Sequence, residues 1–119
     1  MNRSARKAAE IKRNRRRAGQ LAKTFGHRPR SLATYTLAAS GMNRRTAEGC
    51  ANSMRTVAKS LNIAGTPGTT TRTIEGPAEG ERPTTRYTKA EVRAIAEKYA
   101  PRKPAYRAVR ASLLALTAA

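Results

Sequence analysis

Two helical patterns separated by a glycine, between Arg28 and Leu61, constrain the fold of this chain more than any other feature. In the first pattern, the side chains at the i, i+3, i+4 and i+7 spacing of one helical face are Leu32, Tyr35, Thr36 and Ala39. In the second, the apolar stripe consists of Ala47, Cys50, Met54, Val57, Ala58 and Leu61. Gly41 can adopt a left-handed backbone conformation, which ends a helix, and Asn43 can cap the next one. The sequence therefore predicts a short helix, a turn at Gly41-Met42 and a longer helix.

The residues around this turn resemble a helix-turn-helix DNA-binding unit over about twenty positions, residues 33–52. Gly41 matches the turn glycine of that family, and Met42 matches the hydrophobe after it. Ala47 and Cys50 match two apolar positions of the second helix. Leu37 stands at the position of a small residue and is larger than usual, and Ser40 is polar where a hydrophobe is common. The resemblance implies that the helix over residues 44–61 enters the major groove of DNA. A helical hairpin without a groove-reading role is the alternative.

The outer face of that second helix is polar and basic. At 100° per residue, the side chains opposite the apolar stripe are Arg45, Glu48, Asn52, Thr56 and Lys59. Arginine can donate to guanine O6 and N7, and asparagine can bond adenine N6 and N7, although any solvated helix face is polar as well. We expect Gly49 on this outer face, where it would let the backbone approach DNA. The predicted nucleic-acid contacts in this part of the chain are Arg28, Arg30, Asn43, Arg44, Arg45, Thr46, Asn52, Arg55 and Lys59.

The chain carries 25 Lys and Arg against seven acidic residues, all of them Glu, so its net charge is +18. Self-repulsion on that scale opposes compaction and favours a polyanionic partner. Residues 1–27 hold much of this charge above a weak apolar stripe, which predicts an amphipathic helix or arm that becomes ordered on phosphates. The predicted contacts here, similar to those of arginine-rich arms that bind RNA or enter DNA grooves, are Arg13, Arg15, Arg16 and Arg17. A solvated charge run is the alternative.

Other function classes are disfavoured by what the sequence lacks. The single cysteine, Cys50, excludes an internal disulfide and lies on the apolar stripe as a small buried side chain. His27 has no second His and no Asp to work with, so neither a metal site nor a catalytic triad is expected. No run approaches the roughly 20 apolar residues that span a bilayer, and the basic N-terminus lacks the apolar core of a signal peptide. We therefore expect a cytoplasmic protein that is not an enzyme, uses no cofactor or metal, and binds no membrane.

Residues 64–86 differ from the rest of the chain in composition. Gly, Pro and Thr dominate, apolar periodicity is absent, and between residues 65 and 86 three Arg balance three Glu. These features predict a flexible linker. A short β-hairpin around Thr69–Ile74 is the alternative, because Thr and Ile favour strands.

Residues 87–119 carry the best-defined local signals. Thr88 and Glu91 have the spacing of a capping box, and Pro101 and Pro104 separate two helices. The two helices carry more apolar surface than a two-helix hairpin can bury by itself. This surface belongs to Tyr99, Tyr106, Leu113 and Leu116. That surface must pack on the central hairpin, on a second copy or on a host protein. We predict a homodimer through residues 87–119, as is common among helix-turn-helix regulators.

Together these patterns predict an all-α fold with four parts: a basic N-terminal helix or arm (1–27), a helix-turn-helix-like hairpin (28–63), a flexible linker (64–86) and a C-terminal helical hairpin (87–119). The expected function is that of a small transcriptional regulator, similar to basic accessory proteins of phages and plasmids. It would bind double-stranded DNA with the helix over residues 44–61 in the major groove and the arm on the backbone. The alternatives are an RNA- or ribonucleoprotein-binding protein, and a basic adaptor or inhibitor that binds an acidic host protein surface.

Overall fold

The computed structural model describes residues 2–73 and 76–118, which form five helices and three strands. In chain order the elements are α1 (Arg3–Ala22), β1 (Arg30–Ser31), α2 (Leu32–Ala39), α3 (Arg44–Ser60), β2 (Thr66–Thr73), β3 (Gly76–Tyr87), α4 (Lys89–Lys98) and α5 (Pro104–Leu116). The strands form an antiparallel sheet in the order β1-β3-β2. The fold is therefore mixed α/β, and the prediction of an all-α chain is wrong.

The segment predicted as a flexible linker is a β-hairpin, formed by β2 and β3. The two strands pair from Thr66 opposite Arg86 to Thr73 opposite Gly76. Threonine is β-branched and favours an extended backbone, but the strands hold few apolar side chains, so no alternating pattern marks them in the sequence. Pairing of backbone groups rather than burial of side chains defines this hairpin, which is why its composition resembles that of a linker. Ile74, at the end of the alternative hairpin prediction, lies outside the described residues.

The hairpin is joined to the helices through the last residues of β3. β1 pairs with β3 at Arg30 opposite Tyr87 and at Ser31 opposite Arg86. The Oη of Tyr35, on α2, donates to the carbonyl of Tyr87 at 3.0 Å. Burial raises the pKa of Tyr35 to about 12, so the phenol keeps its proton and stays a donor at neutral pH. The base of the hairpin is thereby fixed against the start of α2.

The predicted turn between α2 and α3 is confirmed. Gly41 and Met42 both have positive φ angles, 65° and 69°. The N–H of Met42 bonds the carbonyl of Leu37 at 2.8 Å, and the N–H of Gly41 bonds that of Ala38 at 3.3 Å. These are the two hydrogen bonds of a Schellman ending, which satisfies the last carbonyls of a helix.

Ser40, which is polar where helix-turn-helix units usually have a hydrophobe, stabilises the same turn. Its Oγ lies 3.2 Å from both the carbonyl oxygen and the backbone nitrogen of Asn43, and it accepts from that N–H. The Asn43 side chain accepts from the N–H of Thr46 at 3.1 Å, so it caps α3 as predicted. The departure at Ser40 therefore supplies hydrogen bonds that fix the connection from α2 to α3.

The hydrophobic core lies between α2, α3, α4 and α5. Its largest fully buried side chains are Tyr35, Phe25, Leu32, Met54, Ile95, Leu113, Val92 and Val109. The predicted capping box of α4 is present, with Thr88 N–H donating to Glu91 Oε1 at 2.9 Å and Glu91 N–H donating to Thr88 Oγ1 at 3.2 Å. α4 therefore begins where the sequence indicates.

The apolar face of the C-terminal helices packs on the central helices of the same chain. Leu113 is fully buried, and Tyr99 is 6% exposed with its Oη 3.9 Å from Cys50 Sγ on α3. Tyr106 and Leu116 are half-buried against the same core. Of the three surfaces that could have covered these side chains, the structure shows the central helical hairpin of α2 and α3. Homodimerisation stays a prediction, but the apolar surface that suggested it is covered within the chain.

α1 has a packed C-terminal end and an exposed N-terminal part. Ala18 is buried, as is Phe25 just after the helix, and the residues between them include partly buried Leu21 and Ala22. Residues 2–17, named here the exposed arm, are solvent-exposed apart from a half-buried Asn14. The predicted basic arm is thus helical and lies off the core. Over the described ranges, no helix combines the length and the apolarity needed to cross a bilayer.

Candidate nucleic-acid interface

The outer face of α3 is exposed where the sequence places it. Its inner face is buried through Ala47, Cys50, Ala51, Met54 and Ala58. The opposite side chains, all exposed, are Arg44, Arg45, Glu48, Asn52, Arg55, Thr56 and Lys59. Because the core holds one face and the Gly41 turn holds the start of the helix, the polar face is presented on a rigid element.

Gly49 does not belong to this outer face, so the expectation that it lets the backbone approach DNA is wrong. A Cβ added at Gly49 would collide with the Oη of Tyr106 and would lie 2.8 Å from its Cζ. The missing side chain therefore makes room for a tyrosine of α5. Gly49 is needed for close packing of α3 against α5 within the chain.

Asn52 and Arg55 form a pair on the exposed face. The Nη1 of Arg55 donates to the Oδ1 of Asn52 at 2.6 Å. Reading adenine with two hydrogen bonds needs both the amide oxygen and the amide nitrogen of asparagine. In this arrangement Arg55 occupies one of the two acceptor positions of the Asn52 oxygen, and the pair presents mainly N–H donors. Donors match guanine O6 and N7 or phosphate oxygens better than they match adenine.

A concave groove of about 430 Å³ runs between the start of α2, one side of α3 and the hairpin; we name it the arginine groove. α2 contributes Ala33, Thr34 and Leu37, and α3 contributes Glu48, Ala51, Asn52 and Arg55. The groove takes its name from the six arginines that line it, Arg28, Arg30, Arg55, Arg72, Arg82 and Arg86. Among the described residues that line it, Glu48 is the acidic one.

Two of these arginines are held in place by contacts within the chain. The Nη1 of Arg30 donates to Thr24 Oγ1 at 2.7 Å, and the Nη2 of Arg86 donates to the carbonyl of Thr69 at 2.7 Å. Arg86 lies across β2 at Gly68, where an added Cβ would occupy the position of its Nη1. Gly68 is therefore the residue that lets the Arg86 side chain lie flat against the sheet.

Like charges crowd one another in the groove. The pKa of Arg30 is lowered, first by burial and then by repulsion from Arg28, while Tyr35 acts in the opposite sense and Arg86 adds a smaller lowering. The N-terminal end of α2 also opens into the groove through Ala33, and a helix N-terminus carries partial positive charge. The local field therefore favours an anion.

Two arginines of the C-terminal helices serve structure instead. Arg93 Nη1 donates to the carbonyl of Leu114 at 2.8 Å, and its Nε lies 3.2 Å from Glu97 Oε1. Arg110 donates to the carbonyls of Ala96 at 2.8 Å and Glu97 at 3.3 Å, at the end of α4. These bonds satisfy helix-end carbonyls and tie α4 to α5. Part of the net charge is thus used inside the fold.

The structure places the predicted site residues in separate groups. Those that line the arginine groove are Arg28, Arg30, Asn52 and Arg55. Those elsewhere on the exposed face of α3 are Arg44, Arg45 and Lys59. Asn43 and Thr46 form the cap of α3 and border a smaller cleft of about 190 Å³ against α5. The remaining group, on the exposed arm, is Arg13, Arg15, Arg16 and Arg17.

Sequence reasoning missed the arginines of the hairpin, which are Arg72, Arg82 and Arg86. Their charge is balanced by glutamates nearby in the chain, so the segment looks neutral. The signal that could have found them is the threonine-rich stretch on each side of Gly76-Pro77, which is typical of two strands joined by a turn. Comparison of the chain with protein-family models, with curated proteins and with solved structures finds no match.

Proposed function

We propose that the protein binds duplex DNA, with the exposed face of α3 in the major groove and the exposed arm on the backbone, and that it acts as a small regulator of transcription. The observation that carries the proposal is the polar face of α3, which stands exposed on a helix fixed by its buried side and by the Gly41 turn. An α-helix with side chains is about 10–12 Å wide, and the major groove of B-DNA is about 12 Å wide. The α3 helix is therefore of the right size and chemistry to enter that groove.

The aromatic side chains favour duplex DNA over single strands. Phe25, Tyr35, Tyr87 and Tyr99 are buried, and Tyr106 is half-buried against Gly49. Single-stranded nucleic acids are usually held by bases stacked on exposed aromatic rings. Duplex RNA fits less well than DNA, because its deep, narrow major groove does not admit a helix.

The experiment is a binding titration against duplex DNA, duplex RNA and single strands, followed by selection of preferred sites from a pool of random DNA duplexes. We expect duplex DNA to bind most tightly. Arg45→Ala and Asn52→Ala should then lower the preference for the selected site over random DNA by about 1–3 kcal/mol each, if each makes a bidentate base contact.

A matched control is Lys98→Ala, which also removes an exposed side chain but lies at the end of α4. It should weaken selected and random sites equally. Equal affinity for all three nucleic acids, or an unchanged site preference in both α3 variants, would remove the basis of the proposal.

A further inference from the structure

We infer that the arginine groove binds the phosphodiester backbone of one DNA strand, and that the hairpin supplies phosphate contacts for it. The inference rests on the proposed function, because it adds a second contact surface to the same duplex. It extends the interface to the arginines of the hairpin, Arg72, Arg82 and Arg86, which lie outside the helical hairpin of α2 and α3.

The charge of the groove points to a ligand rich in negative charge. Six arginines and one glutamate line it among the described residues. Their mutual repulsion opposes the native arrangement, and the lowered pKa of Arg30 reflects burial together with that repulsion. An anion in the groove relieves the repulsion and replaces water around the guanidinium groups with charge-assisted hydrogen bonds. The free energy gained in this way comes from the nucleic acid's phosphates.

The chemistry of the lining favours phosphate over base edges. Guanidinium groups donate hydrogen bonds and accept none, and their planar fork matches two oxygens of one phosphate. Base edges present donors as well as acceptors, so a lining dominated by donors cannot read them in full. Phosphodiester oxygens accept only. The groove therefore suits the sugar–phosphate backbone and is expected to be indifferent to sequence.

The position of the groove beside α3 identifies which part of the duplex it holds. Asn52 and Arg55 belong both to the exposed face of α3 and to the lining of the groove. The major groove of DNA is bounded on each side by a phosphate backbone, so a helix in that groove has a strand along each flank. The arginine groove, between α3 and the hairpin, lies where one of those strands would pass.

Arg86 is prepared for this contact before any ligand arrives. Its bond to the Thr69 carbonyl and its fit over Gly68 restrict the side chain to one region of the groove. A long side chain that is already ordered loses less conformational entropy when it binds. Arg86 is thus a preorganised part of the groove.

The test is a charge-matched pair of double variants of the full chain. Arg72→Ala/Arg82→Ala removes two exposed arginines of the groove. Lys98→Ala/Arg102→Ala removes two exposed cations that do not line it and leaves the same net charge. Both proteins are titrated with selected and random DNA duplexes, and with duplex RNA, between 50 and 200 mM salt, and their thermal unfolding midpoints are compared with that of the unchanged chain.

We expect the groove variant to bind all DNA duplexes about 10- to 100-fold more weakly near 0.1 M salt and to lose roughly 2 from the magnitude of its log–log salt slope, at about 0.9 for each phosphate contact. Its preference for the selected site should stay unchanged, because phosphate contacts carry no sequence information. The control variant should keep most of the slope. If the unfolding midpoint of the groove variant falls, Arg72→Gln/Arg82→Gln keeps most of the side-chain length and must show the same loss of slope.

Equal slopes in the groove and control variants, or a loss confined to duplex RNA, would overturn the inference. In the first case a steep slope in the unchanged chain would leave the proposed function standing. A slope shallower than about −2 in the unchanged chain, with no preference for duplex DNA, would instead contradict the proposed function itself.

Discussion

The exposed arm and the arginine groove both concentrate positive charge, but they do so in opposite ways. In the arm, eight Lys and Arg and one Glu follow one another between residues 3 and 17 on a single exposed helix. In the groove, six arginines are spread between positions 28 and 86 of the sequence, and the helices and the hairpin bring them together. The arm owes its charge to sequence alone, whereas the groove owes it to the fold.

The two regions also differ in what holds them. Two groove arginines, Arg30 and Arg86, donate to Thr24 Oγ1 and to the Thr69 carbonyl. The arm has like charges four residues apart, such as Arg13 and Arg17, and no acidic residue in its first turn. Such pairs destabilise a helix, and cations near its N-terminus oppose its dipole. The comparison therefore sets arginines held by contacts within the fold against mutually repelling cations on an exposed helix.

Removal of residues 1–17 should have the largest effect on binding. With half of its eight cations on phosphates, the arm contributes about four contacts, so affinity for every duplex should fall by about 10²- to 10³-fold near 0.1 M salt. The unfolding midpoint should change little, because the side chains that pack, Leu21 and Phe25 among them, remain. Titration and thermal unfolding of the shortened chain measure both quantities.

The control for the shortened chain replaces Arg13, Arg15, Arg16 and Arg17 by Lys. It keeps the charge and should keep most of the affinity, because point charges suffice for backbone contacts. Undiminished binding by the shortened chain would make the arm a solvated surface and leave the groove as the main contact.

Alanine substitutions at two glycines distinguish α3, which is packed against α5, from the exposed helix α1. Relative to Gly19→Ala, Gly49→Ala should destabilise the protein by about 1–3 kcal/mol, because both gain helix propensity but only the methyl group at Gly49 would collide with Tyr106. Gly19→Ala, in α1, meets nothing within 4 Å and should be neutral or stabilise by up to about 1 kcal/mol. Denaturant unfolding measures both. Equal effects of Gly49→Ala and Gly19→Ala would mean that α5 does not pack on α3 as described.

A second pair of glycines tests whether the groove is preorganised. Gly68→Ala should displace the Arg86 guanidinium at little strain, since the colliding atoms are the end of a flexible side chain. Affinity for duplexes should fall about three- to eightfold, because one phosphate contact contributes at most roughly 0.9 decade at 0.1 M salt. Gly26→Ala, which meets nothing within 4 Å, is the control. Identical binding by the two variants would show that DNA affinity does not depend on the position of the Arg86 side chain over β2.

The smallest expected signal is a gain of helix in the arm. Isolated helices of about 12–15 residues are marginal in water even without repulsion, so residues 3–17 should become more helical when phosphates neutralise them. Circular dichroism at 222 nm should strengthen on addition of duplex to the full chain and stay constant for the chain without residues 1–17. An equal change in both chains would place the folding transition elsewhere.

The features that could be predicted from the sequence are those that depend on neighbouring residues. The Gly41 turn, the Asn43 cap and the capping box at Thr88 were predictable, because each depends on residues a few positions apart. The hairpin was predictable only as the alternative around Thr69–Ile74, because backbone pairing leaves little trace in hydropathy. The groove was not predictable, since it brings together residues from distant segments of the chain. For the same reason the destination of Leu113, which three surfaces could have covered, was decided only by the fold.

The salt dependence of duplex binding tests most directly whether the arm and the groove are two separate phosphate-binding regions. It is measured for the unchanged chain, the chain without residues 1–17, the Arg72→Ala/Arg82→Ala variant and the two changes combined. We predict a log–log slope of about −5 to −8 for the unchanged chain, smaller slopes for each variant, and losses that add in the combined protein. A slope shallower than about −2, or a combined loss no greater than that of the shorter chain alone, would contradict the account.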